Sequence, residues 1–179
     1  MNNSKTKSLA YAAILLALCI VSQFLKNLSV YITGPIINTC LILCVMTAGI
    51  GYALAISVIT PVTSFVITGS PIMSAIPLII PCVMVGNIIL VLCVFFLHKR
   101  FGKKLGFPVS MLVGVVLKAL FMGLVIALWV IPAFIPEKMA AKTSVFQTTF
   151  SVTQLITGLI GAVLAYIIFI PISKTIKNQ

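Results

Sequence analysis

Residues 35–67 read PIINTCLILCVMTAGIGYALAISVITPVTSFVI. The stretch is apolar almost throughout and carries no charged side chain. A hydrocarbon core ~30 Å thick is crossed by about 20 helical residues, so a single helix of this length exceeds what tilt absorbs. Gly49 and Gly51 stand near its middle, and glycine is the residue that lets a chain turn sharply. The stretch therefore predicts two short helices, 35–48 and 51–67, joined by a tight turn. On that reading depends whether the chain crosses a membrane five times or six.

Four further apolar runs are plain, at 9–25, 77–97, 108–131 and 148–170. The basic residues decide the count. They cluster as Lys5/Lys7, Lys99/Arg100/Lys103/Lys104 and Lys174/Lys177. Six spans place all three clusters on one side, which the positive-inside rule makes cytoplasmic. Five would strand the cluster around Lys99 outside. The sequence thus predicts an all-α membrane protein: one integral domain over 1–179, six transmembrane helices and both termini cytoplasmic. The outer connections become 26–33, 68–76 and 132–147. They hold Lys26, Lys138 and Lys142, and the last two are rich in turn residues and read as lids. Lysines ahead of an apolar run also begin signal peptides, but no small-residue cleavage site follows cleanly, so the first helix is read as retained.

Composition agrees. Hydrophobic residues make up 61% of the chain, charged residues 7%, and mean hydropathy is +1.29. A soluble domain carries roughly 25% charged residues, which excludes that class. The net charge of +11 does not indicate nucleic acid, because the basic residues lie between apolar runs and form no basic face. Cys19, Cys40, Cys44, Cys82 and Cys93 all fall inside apolar runs and read as small packing residues with free thiols.

Much chemistry is excluded by absence. The sequence has no Asp, and its one acidic residue is Glu137 in an outer connection. A phosphate-cradling GxxxxGK[ST] loop is missing, so the chain does not hydrolyse ATP by the common route. Aspartyl and HExxH chemistry lack their residues, and no membrane carboxylate exists to relay protons. Ser–His catalysis would need His98, which sits in the basic cytoplasmic connection. No catalytic residue, metal site or cofactor is predicted. The chain either passes a solute downhill or borrows energy from a partner.

The polar residues inside the spans are then the candidates for ligand contact. Lys118 lies about ten residues, roughly 15 Å, into the fifth span, too deep for simple snorkelling. A charge at that depth costs about 2.5–3.5 kcal/mol and needs a partner. With no membrane carboxylate, the options are amide or backbone oxygens, deprotonation, or an anionic ligand. Asn38 and Asn87 mark the second and fourth spans, and each is either interhelical glue or ligand contact. Ser57, Thr60 and Ser64 share one face of the third span. Gln147, Ser151 and Gln154 share one face of the sixth, continued by Gly158 and Gly161. In the proposed topology Asn38, Ser64, Gln147, Ser151 and Gln154 fall in the outer half and Thr60, Asn87 and Lys118 near the middle. Together they outline a cavity open to the outside. Tyr31, Phe65, Phe121 and Trp129 are candidates for its aromatic walls, Trp129 being equally suited to anchor at the interface. On the first helix Ala10, Ala13 and Ala17 form a small-residue stripe, the kind of surface that lets another helix come close.

This set resembles the S components of energy-coupling factor (ECF) transporters. The resemblance covers essentially the whole chain and rests on Ala13-x-x-x-Ala17, GPIIN at 34–38, GN at 86–87, the lone Lys118 and FSVTQLITGLIG at 150–161. It implies a six-helix subunit of the prokaryotic plasma membrane that captures a vitamin or related micronutrient. It also implies that the AxxxA motif docks a transmembrane coupling (T) subunit, that two cytoplasmic ATPases power release, and that the S component topples in the membrane. No residue signature of the riboflavin, thiamine, biotin or folate branches transfers, so the expected substrate class, possibly anionic, rests on Lys118 and its polar neighbours. The alternatives are an autonomous facilitator or channel for a small solute, or a ligand-free structural subunit of a membrane complex.

Overall fold

The computed structural model describes residues 3–25, 29–100 and 102–177. Lys26 and the side chains of Lys103, Lys104, Lys174 and Lys177 lie outside the described set. Among the described residues six helices are long and apolar enough to cross a membrane, and there is no strand. The first three are α1 (Asn3–Phe24), α2 (Val30–Thr47) and α3 (Ile50–Thr68). The decisive stretch breaks where its glycines predict. Gly49 has φ +100°, a conformation that a side chain would strain, and the amides of Ala48 and Gly49 both donate to the Cys44 carbonyl at 2.9 Å. Gly69, at φ +55°, ends α3 in the left-handed helical conformation.

The helix α2 starts earlier than its predicted 35–48. Ser29 caps it by accepting the Tyr31 amide at 3.1 Å, and the helix runs through Pro35. The 68–76 connection holds a short helix, α4 (Pro71–Ala75), before α5 (Ile79–Leu97). The fifth span is longer than predicted: α6 (Gly102–Phe121) passes into a π-helical stretch, Met122–Val130, and then into α7 (Ile131–Phe134). A 3₁₀ turn, Glu137–Lys142, leads to α8 (Thr143–Phe150) and α9 (Val152–Lys177). Much of the predicted connection 132–147 is thus helical, and Ser151 forms a bend between α8 and α9.

Two apolar cores result. One, around Leu41, Cys44, Ile56, Val91, Met111 and Ala165, lies toward the end that carries both termini. The other, around Ile72, Ile79, Met122, Ile126 and Phe150, lies toward the opposite end. Buried polar residues (Asn38, Ser57, Thr60, Asn87 and Lys118) form the layer between them.

The close approach of α9 to α2 positions one of these residues. A Cβ on Gly161 would stand 2.7 Å from the Asn38 Cβ and 2.8 Å from the Pro35 carbonyl oxygen. The Thr39 hydroxyl lies within hydrogen-bond distance of the Gly161 carbonyl, at 3.0 Å. Gly161→Val should therefore destabilise the bundle by about 1–3 kcal/mol through overpacking. It should also weaken ligand binding, because Asn38 is the side chain displaced. Thermal unfolding of the detergent-purified protein checks this, and an unchanged midpoint would refute it.

Candidate functional site

Lys118 is 4% exposed, and its ammonium is held by two asparagines from other helices. Nζ donates to Asn38 Oδ1 at 2.7 Å and to Asn87 Oδ1 at 2.8 Å. The amides are aimed from behind. Asn38 Nδ2 donates to the Gly34 carbonyl at 2.9 Å, one turn back on α2. Asn87 Nδ2 donates across to the Ser57 carbonyl on α3 at 3.4 Å. That carbonyl is available because the residue four positions on is Pro61, which has no N–H. With each Nδ2 committed to a carbonyl, both Oδ1 atoms face the lysine. Neutral oxygens solvate the charge without cancelling it.

The lysine stands in a cavity of about 250 Å³. Asn38, Thr60, Ser64, Asn87 and Gln154 join it in the lining. The apolar wall comes from Ile72 and Met73 of α4, Met122, and Phe146 and Phe150 of α8. This volume falls just below the ~300–1,000 Å³ usual for small-molecule sites, so it suits a compact ligand. Because α2 begins and α3 ends at the end remote from the termini, the cavity belongs to that half of the bundle. Among the described residues Lys118 is the one charged residue in the lining. The arrangement can bind and orient a polar molecule.

Residues 7–173 match the family described as ECF transporter, substrate-specific component. The chain belongs to that family. No curated protein and no solved structure matches it. The S component is the substrate-binding part of a multi-pass membrane transporter and not an enzyme.

Six of the residues singled out in the sequence meet at the cavity of this S component: Lys118, Asn38, Asn87, Thr60, Ser64 and Gln154. Three do not. Gln147 and Ser151 line a second, apolar groove between α8, α9 and the π-helical stretch. Trp129 is 62% exposed on the outer surface of the bundle. The expected aromatic walls also differ. Tyr31 is 54% exposed, and Phe65 and Phe121 pack against the second apolar core. Phe146 and Phe150 take that role instead. Both sit on α8, which joins the end of the expected connection 132–147 to the start of the expected span 148–170. Gln23 was missed as well. It is fully buried, donates from Nε2 to the Thr60 carbonyl at 3.0 Å, and leaves Oε1 without a partner among the described residues.

Gln147 has a structural task. Its Nε2 donates to the Ala127 carbonyl at 3.0 Å. In the π register Ile131 N–H bonds to Ile126, and the next donor in that series belongs to Pro132, which has none. The side chain from α8 thus supplies the bond that the proline withholds. Gln147→Leu should strand this carbonyl and cost about 1–3 kcal/mol. Its effect on the melting temperature should exceed its effect on ligand affinity; the opposite ranking would return Gln147 to the binding set.

Ala10, Ala13 and Ala17 are exposed, whereas Ala12 turns into the bundle. Leu9, Ile14, Leu18 and Val21 flank them on the same outer surface. The small-residue stripe is therefore free to meet another helix.

Proposed function

We propose that this S component captures a compact, anionic, vitamin-like substrate in the cavity around Lys118. The observation that carries the reading is the buried ammonium, which has two amide oxygens as partners and no carboxylate. A charge so placed is stabilised when an anion arrives beside it. The three basic clusters support an orientation in the prokaryotic plasma membrane with both termini cytoplasmic and the cavity facing out. The exposed stripe Ala10, Ala13 and Ala17 supports docking of a transmembrane T subunit, through which two cytoplasmic ATPases power release. Residues proposed to touch the substrate are Lys118, Asn38, Asn87, Thr60, Ser64 and Gln154.

Affinity purification of the tagged full-length chain from its native membrane tests this. A coupling protein and ATPases should copurify, and uptake in proteoliposomes should require them together with ATP. Uptake at full rate by the chain alone would make it a facilitator. Failure to bind any small molecule would make it a structural subunit.

A further inference from the structure

The donor and acceptor inventory of the cavity narrows the substrate further, on the reading that the cavity is the capture site. An ammonium has three N–H donors, and two are spent on Asn38 and Asn87. The third has no acceptor among the described residues. Several nearby donors are already committed. The Thr60 hydroxyl donates to the Ile56 carbonyl at 2.8 Å, and the Thr149 hydroxyl to Val145 at 2.7 Å. The Thr33 hydroxyl donates to Ser22 at 2.9 Å, and Gln154 Nε2 to Thr149 at 3.3 Å. The three hydroxyls therefore offer the cavity oxygen, whereas Gln154 Nε2, like Asn38 Nδ2 and Asn87 Nδ2, keeps a second N–H.

We infer that the substrate is a monocarboxylate that carries neither an ammonium nor a phosphoryl group, with a hydrogen-bond donor on an apolar or aromatic body. One N–H without an acceptor among the described residues and one positive charge match one carboxylate. A phosphoryl group at about −1.5 to −2 charge would leave excess negative charge buried beside a single ammonium. An ammonium on the substrate would meet Lys118 with no carboxylate to answer it, since Glu137 is exposed and absent from the lining. The spare oxygens of Thr60 and Gln154 suit a hydroxyl or amide N–H. Phe146, Phe150, Ile72 and Met73 cover the rest.

The full-length chain, purified in mild detergent from cells grown in rich medium, is denatured and the released small molecules are identified by mass spectrometry. A monocarboxylate is expected. The released compound is then displaced from fresh protein by 4-hydroxyphenylacetate, its primary amide, and tyramine, three probes that share one skeleton. The acid should compete at least tenfold better than either, and in Lys118→Gln the acid and amide should become equal. A released ligand that is cationic, zwitterionic or phosphorylated overturns this inference and leaves the capture reading standing. Equal competition by acid and amide on the unaltered protein overturns it too. Release of no small molecule removes the capture reading and this inference with it.

Discussion

Lys118→Met should weaken substrate binding at least tenfold while leaving the protein folded. Methionine keeps an unbranched stem of similar length, so the packing beside Gly86 persists. What disappears is the charge. A hydrogen bond to a charged group contributes about 1.5–3 kcal/mol, and each 1.4 kcal/mol is tenfold in affinity. Loss of the intramembrane charge also removes an insertion cost of about 2.5–3.5 kcal/mol, so expression should hold or improve. Asn38 Oδ1 and Asn87 Oδ1 lose their donor, but they line a cavity and can turn to water. Titration calorimetry in detergent, with a thermal scan of the same sample, separates the two effects. Unchanged affinity would leave Lys118 as a packing residue bonded to two amides.

Ala13→Trp should abolish uptake, by more than tenfold, without altering substrate affinity. Ala13 lies on the exposed face of α1, so the indole projects away from the bundle and its cavity. Lipid tails accommodate a large side chain there. A partner helix does not, because close helix approach within a membrane depends on small residues at the contact. The variant should bind substrate normally, lose the T subunit on purification and fail in ATP-driven uptake. Copurification in normal yield together with full uptake would show that the T subunit docks elsewhere.

The spans and the polar layer were legible in the sequence because both follow from solvation. Apolar length and the placement of lysines give six helices, and any polar residue among them is conspicuous. The direction of each amide was not legible, although part of the reason was in view. Pro61 frees the Ser57 carbonyl, and that carbonyl turns Asn87 so that its oxygen meets Lys118. Pro132 similarly leaves Ala127 in need of a donor and draws Gln147 away from the cavity. The second case could not be read, because it depends on the π register, which no local pattern announced. The aromatic walls were misplaced for a related reason: α8 packs where a loop was expected, and it brings Phe146 and Phe150 with it.

The solitary ammonium of Lys118 also lies within the electric field of the membrane. Carrying one elementary charge through 100 mV amounts to ~2.3 kcal/mol, and about half of that for a charge that stops midway. In the proposed orientation a carboxylate reaching Lys118 moves inward against an inside-negative potential. Capture should then weaken by up to about sevenfold for each 100 mV, whereas a neutral analogue would not feel the voltage. A residue proposed to select for charge would thereby tie the affinity of this S component to the energetic state of the cell that carries it.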